Sequence, residues 1–364
     1  MPIEHILNKI DDDEELSRED LKAILCVIEA NDLAALFDKA YEVKKKFVGS
    51  RAFFRGIIEF SNICNKDCYY CGIRRSNKNI DRYMMKEGEI LEGAKWAYEN
   101  NYGSIVLQSG ERDDSFFINF ITNVLQKIKE ASDGKLGITI SLGEQSREVY
   151  KEWFDAGAHR YLLRIETSNP DLYRQLHPGD HDFGRRKECL DLLRDIGYQV
   201  GSGVMIGLPG QTTDDLVNDL IFFKEMDIDM IGMGPYIVHK DTPAAESIKD
   251  FGAIKNEQYL LGLKMISAAR LFLKDVNIAS TTALQTLNPH GREMGLRAGA
   301  NIIMPNVTDG KYRGFYQLYD DKACIDEDSE QCLGCLEKRI FEIDEDIGYG
   351  EWGDSPHFKK RTAK

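Results

Sequence analysis

Between residues 51 and 307, a short apolar run followed by a longer amphipathic one recurs eight times. The short runs cover 52–60, 104–109, 137–142, 160–166, 200–208, 230–236, 277–282 and 301–305. The stretches between them, such as 87–100, 117–131, 148–156 and 213–226, place apolar residues three and four apart with charges between. The first kind reads as buried strand and the second as amphipathic helix. Eight strand-then-helix units of this length are the pattern of a closed barrel of parallel strands, a (β/α)8 TIM-type α/β fold. An open doubly wound sheet alternates in the same way, but as a rule with fewer strands, so the barrel is the favoured reading.

The barrel is expected over residues 51–307, with a helical extension over 1–50 and a tail over 308–364 that closes it. Ser17 and Asp20 have the spacing of a capping box and mark a helix start in the extension. A chain of 364 residues, 42% of them hydrophobic, can bury a core of this size. Its net charge of −14 argues against a nucleic-acid partner, which needs a basic face. The acidic N-terminal stretch has no apolar signal core, and no window approaches the length of a membrane span. No membrane partner is expected, and the cytoplasm is the natural compartment.

A barrel of this kind carries its chemistry in the loops after the C-terminal ends of the strands. Polar and glycine residues gather at those positions. Cys64, Cys68 and Cys71 follow the first run, and Gln108, Ser109, Gly110 and Glu111 end the second. Ser141 and Glu144 lie near the end of the third, and Arg164 and Glu166 close the fourth. A glycine-rich turn over 207–212 follows the fifth, Thr281 and Thr282 end the seventh, and Asn306 follows the eighth.

Six of the eight cysteines fall into two tight triplets, which in a large acidic chain suggests metal rather than disulfides. Cys26 and Cys189 stand alone in helical patterns and read as buried packing residues. Three thiolates on one short loop suit zinc or an iron–sulfur cluster. A structural zinc site wants four protein ligands, and no fourth Cys or His lies within thirty residues of the first triplet; zinc with a distant His remains the alternative. Three cysteines on a 4Fe–4S cluster leave one iron open to another molecule.

The CxxxCxxC spacing, with Tyr70 just before the last cysteine and a strand just before the first, resembles the radical S-adenosylmethionine (SAM) superfamily. The resemblance implies a 4Fe–4S cluster on Cys64, Cys68 and Cys71 whose open iron chelates SAM, and reductive cleavage of SAM to methionine and a 5′-deoxyadenosyl radical. It also implies that Tyr70 lies near the adenine, that Gln108, Ser109, Gly110 and Glu111 receive the methionine amino group, and that Ser141 joins them. Glu166 would bond the ribose, and Arg186 would face the SAM carboxylate. The residues alone leave plainer readings open: an ordinary turn for 108–111, a salt bridge for Glu166, and a helix-capping turn for 207–212.

Beyond the cluster, segments such as IIEFSNIC, IVLQSGE, RYLLRIETSNP, GLPGQTTDDLV and YRGFYQLY resemble a branch of the superfamily. It includes biotin synthase, methylornithine synthase and the FeFe-hydrogenase maturases of the HydE type, the last over nearly the full length. That likeness implies an organometallic small-molecule substrate, assembly of the di-iron part of the hydrogenase centre, and partner maturases of the HydG and HydF types. Arg164, Thr281, Thr282, Tyr316 and Tyr319 match its segments and would line the substrate cavity, although tail tyrosines also pack barrel mouths. Cys324, Cys332 and Cys335 would hold an accessory iron–sulfur cluster; a small zinc or disulfide staple is the alternative. Two other readings of the chain are an amino-acid mutase similar to methylornithine synthase and a non-catalytic metal carrier.

Overall fold

The computed structural model describes residues 3–248 and 250–363. The apolar runs form eight parallel strands: β1 (Arg51–Ser61), β2 (Ser104–Ser109), β3 (Gly137–Ser141), β4 (Arg160–Leu162), β5 (Gln199–Ser202), β6 (Met230–Ile231), β7 (Asn277–Ser280) and β8 (Ile302–Ile303). Each bonds to the next, and β8 returns to β1 through Phe53 opposite Ile302 and Phe54 opposite Ile303. That last ladder decides the topology. The sheet is closed, so the doubly wound alternative is excluded.

Helices cover the outside because each strand buries both faces and needs an apolar stripe against its outer one. The helix Ser115–Ala131 shows how the sequence provides one. Phe117, Ile121, Val124, Leu125 and Ile128 recur at helical spacing and are buried, and the Asp114 side chain caps the first turn by accepting from Phe117 N. Truncating Ile121 to alanine removes a fully buried side chain and costs about 2–5 kcal/mol. Before the barrel, helices Ile3–Asp11, Arg18–Leu25 and Ala30–Phe47 form the expected extension. Ser17 and Asp20 make the capping box.

Three features differ from the sequence reading. β4 stops at Leu162 rather than Glu166, because the chain turns and Glu166 adopts a left-handed φ of 67°. The fifth run breaks after Ser202, and Met205–Ile206 instead pairs with Gly234–Pro235 in a separate parallel ladder. Glycine is the cause: a Cβ on Gly203 would stand 2.1 Å from the Gly232 carbonyl oxygen, so the two backbones approach where no side chain fits. Cys26 is exposed, not buried, because its helix ends at Leu25 and Cys26 is the cap residue beyond the packed face. Cys189 is fully buried as expected.

The residues after β8 touch both ends of the barrel. Near the mouth, Gly72 N donates to Leu318 O and the Lys322 ammonium reaches Glu59 on β1. At the opposite end, Asp346–Ile347 pairs with the first residues of β1. The chain then runs beneath the barrel floor, where buried Arg160 and Gln199 both bond Asp354 Oδ1 and Arg55 bonds Gly353 O.

Candidate active site

β1 delivers the chain to the barrel mouth, where the cysteine loop begins. Asn62 Nδ2 donates to Asp81 O and Phe315 O, both at 2.8 Å, which fixes the exit from the strand. The Arg82 guanidinium bonds the carbonyls of Asn62 and Ile73, at 2.6 and 2.7 Å, and so ties the two ends of the loop together. The end of β2 lies directly beneath. Asn65 N donates to Glu111 O at 2.8 Å, and Glu111 N points at Cys64 Sγ from 3.3 Å. This contact explains the glycine of the second strand end: a Cβ on Gly110 would sit 2.4 Å from Ile63 O and 2.7 Å from Cys64 Cβ.

The three thiols are partly buried at the barrel mouth. Burial pushes Cys64 up, pushes Cys68 up to about 12, and raises Cys71 further still, the neighbouring sulfurs adding to the effect on the last two. Three adjacent thiolates are therefore unfavourable here unless a cation neutralises them. An iron–sulfur cluster does that, since metal ligation deprotonates the thiols it uses. The donor set fits such a cluster, with three soft ligands on one loop.

Beside the sulfurs stands a compact set of charges. Arg186 Nε bonds Glu144 Oε1 at 2.5 Å, Nη1 donates to Arg164 O at 3.0 Å, and Lys66 Nζ reaches Glu144 at 3.0 Å and Glu111 at 3.4 Å. Burial opposes the charge on Glu144, but Arg186 and Lys66 outweigh it and hold the carboxyl below its usual range. Glu111 is less fully compensated, and burial raises it. A cleft of about 510 Å³ opens alongside, lined by Asn65, Lys66, Glu111, Glu144, Gln145 and Arg185. Just beyond β4, Glu166 Oε2 lies 3.0 Å from Arg164 Nη2 as an ion pair outside hydrogen-bonding geometry, and burial raises the carboxyl.

Tyr70 turns the other way. Its hydroxyl meets His177 Nε2 at 3.2 Å, and its ring packs against the small cluster formed by Leu172, Leu176, Met205, Leu208 and Tyr236. Deeper in the mouth, the Gln108 amide donates to Tyr316 OH at 3.2 Å, while Ser109 Oγ bonds the next carbonyl, Gly110 O. Ser141 ends β3 opposite Gln108 and is half-buried. Thr282 Oγ1 accepts from Arg292 Nη2 at 2.9 Å, and burial raises Tyr319. Several buried polar atoms here lack a hydrogen-bond partner: Arg164 Nε, Tyr236 OH, Thr281 Oγ1, Gln285 Oε1, and Arg292 Nε and Nη1. Such atoms cost about 1–3 kcal/mol each when left unpaired, so their gathering at the mouth marks a site for polar ligands.

The model of the Radical SAM superfamily matches residues 58–223, which span the cysteine loop and the strand ends through the fifth. The [FeFe] hydrogenase maturase subunit HydE of Thermotoga maritima is 47% identical over 339 residues, covering 93% of this chain and 94% of its own. The chain belongs to the HydE family of radical SAM enzymes. More distant is 3-methylornithine synthase of Methanosarcina acetivorans, 26% identical over 89% of both chains. The crystal structure of a methylornithine synthase superposes with a TM-score of 0.80 at 24% identity, over 94% of this chain and 97% of that one, and bears on the fold alone.

The second cysteine triplet of this HydE-family chain lies in the tail. Cys324, at a left-handed φ of 64°, receives a contact from Gln285 Nε2 at 3.5 Å, and Cys332 is buried. The neighbouring Cys324 thiol lowers that of Cys332. Cys335, three residues further along the helix Ser329–Phe341, is exposed.

Sequence reasoning passed over Lys66, His177, Tyr236, Gln285 and Arg292. Lys66 was visible as the one cation inside the CxxxCxxC loop. Gln285 falls one helical turn after Thr281 and Thr282, a spacing that faces the same way. His177 and Arg292 carry no local signal, since only the folded chain brings residues so distant to the mouth.

Proposed function

We propose that this radical SAM enzyme acts in building the di-iron subcluster precursor of the FeFe-hydrogenase active site. When bound on Cys64, Cys68 and Cys71, a 4Fe–4S cluster supplies an open iron for SAM and the electron that cleaves its sulfonium. The chain's own residues bind and orient. Glu166 offers its carboxylate, ion-paired with Arg164 but not hydrogen-bonded, to the ribose hydroxyls. Arg186, held by Glu144 and the Arg164 carbonyl, faces the SAM carboxylate, and the 108–111 strand end with Ser141 receives the amino group. Tyr70 closes the adenine side.

The observation that carries the substrate reading is the set of unpartnered buried polar atoms on Arg164, Thr281, Tyr236, Gln285 and Arg292. They form a mouth rich in hydroxyls and cations, suited to a small anionic, metal-bearing substrate. Thr282, Tyr316 and Tyr319 complete the lining. An amino-acid mutase would share the SAM site, but the 47% identity with a maturase against 26% with 3-methylornithine synthase favours maturation. The partners follow from that role: HydG-type and HydF-type maturases, met in the cytoplasm. Cys324, Cys332 and Cys335 are assigned to an accessory iron–sulfur cluster.

The test is reconstitution. Added to a maturation extract that lacks a HydE protein, the purified chain should restore hydrogenase activity in a SAM-dependent way. Conversion of lysine to methylornithine without such restoration would replace this reading with the mutase.

A further inference from the structure

Glu166 enters the barrel mouth from a turn held from two directions. On one flank the fifth run holds it. Ile165 N donates to Ser202 Oγ at 3.2 Å, Glu166 N donates to Gly203 O at 3.0 Å, and Met205 N donates back to Glu166 O at 3.0 Å. On the other flank the hold passes to the helix Thr213–Glu225. Ser168 N donates to Asp219 Oδ1 at 2.6 Å, and Asn169 Nδ2 donates to Asp215 Oδ1 at 2.8 Å.

The two carboxylates differ in what else they do. Asp215 caps its own helix, since its other oxygen accepts from Thr212 N and Oγ1, so the helix start explains its place. Asp219 lies one turn further on, in the helix interior. It is wholly buried, and its Oδ2 makes no hydrogen bond. Among the described residues no cation pairs with it, and burial, with Asp215 adding repulsion, pushes its titration up to about 7. A lone buried carboxylate destabilises a fold, and an apolar residue would pack better among the buried Leu216, Val217 and Leu220. What Asp219 supplies instead is an acceptor for the backbone two residues beyond Glu166.

On the reading of Glu166 as the ribose-binding group, on which this rests, we infer that Asp219 is a positioning residue that fixes the far flank of the Glu166 turn and so aims the Glu166 carboxylate at SAM. A left-handed backbone at a residue other than glycine is strained, and it persists only where its surroundings over-determine it. The fifth run fixes one flank and Asp219 the other. No local motif announces the contact, because Asp219 lies 51 residues from Ser168.

The experiment measures SAM affinity by isothermal titration of the anaerobically reconstituted full chain, and the melting temperature of the same chain without SAM. Asp219→Leu keeps the bulk and removes the acceptor. It should weaken SAM binding about tenfold, the order that one hydrogen bond contributes. Asp219→Asn keeps an acceptor for Ser168 N and discards the charge. It should bind SAM as the wild type does, and at about pH 8, where the wild-type fold buries an unpaired charge, it should melt higher. The double variant Asp219→Leu with Glu166→Ala should bind no more weakly than Glu166→Ala alone, because both changes act through one carboxylate. Wild-type affinity in Asp219→Leu, or additive losses in the double variant, would overturn the inference. So would an Asp219→Asn that loses SAM affinity or melts lower than the wild type, and this arm stands even where Asp219→Leu does not fold. Glu166→Ala binding SAM as tightly as the wild type would instead overturn the ribose assignment beneath it.

Discussion

The Lys322 ammonium lies 2.7 Å from Glu59 Oε2, with both side chains almost wholly buried. Glu59 sits on β1 five residues before Cys64, and Lys322 stands in the tail two residues before Cys324. Asn306 Nδ2 also bonds Glu59, and Lys322 bonds Tyr316 O, so the tail residues at the mouth are pinned through one ion pair. Breaking a buried pair from one side leaves an uncompensated charge, which outweighs the modest net gain of having the pair. Lys322→Met should destabilise the fold by about 3–5 kcal/mol, read as a lowered denaturant midpoint, while Lys322→Met with Glu59→Gln should recover much of the loss. Equal effects of the single and double variants would remove the pair from this account.

Glu166 combines a left-handed backbone, a largely buried side chain and a carboxylate oxygen without a hydrogen bond. Strain of that kind persists where a site requires it. A hydrogen bond to a charged group contributes about 1.5–3 kcal/mol, so Glu166→Ala should weaken SAM binding by roughly ten- to a hundredfold in isothermal titration of the clustered enzyme. Unchanged affinity would reassign Glu166 to its contact with Arg164.

Gly110 lies where β2 passes under the cysteine loop, and an added Cβ would collide with Ile63 O and Cys64 Cβ. Both are held by strand and loop bonds and cannot yield. Gly110→Ala should therefore lose most catalytic-cluster iron in anaerobic reconstitution, with far-ultraviolet circular dichroism retained. Full iron content would show that the loop adapts.

The barrel was legible because its signal is redundant: eight apolar runs, each followed by an amphipathic one, leave few alternatives. The cysteine loop and the strand-end residues were legible for a related reason, since the fold assigns its strand ends to chemistry. What escaped was set by three-dimensional neighbourhood. The break in the fifth strand depends on Gly203 meeting Gly232, and the roles of Lys322, His177 and Arg292 depend on partners far away in sequence. The tail's passage beneath the barrel floor had no periodic pattern to announce it.

That passage gives a pH prediction. His357 bridges Asp275 at 3.1 Å and Asp227 at 2.7 Å, and the Asp275 bond, against the cost of burial, raises it from 6.5 to about 9. Its proton is held more tightly in the folded state, so the stabilisation is fully present below pH 6.5 and is lost as pH rises through about 9. The wild-type melting temperature should fall across that window, and His357→Gln should flatten the fall. A parallel pH dependence in the variant would place the effect elsewhere.

The central claim is that Cys64, Cys68 and Cys71 hold a cluster that cleaves SAM. The direct measurement is 5′-deoxyadenosine formed after anaerobic reconstitution with iron and sulfide, then dithionite and SAM, in the wild type and in Cys71→Ala. The account predicts product from the wild type and none from Cys71→Ala, whose remaining two thiols cannot hold the cluster. Product from Cys71→Ala at the wild-type rate, or none from a wild type shown to carry its cluster, would contradict it.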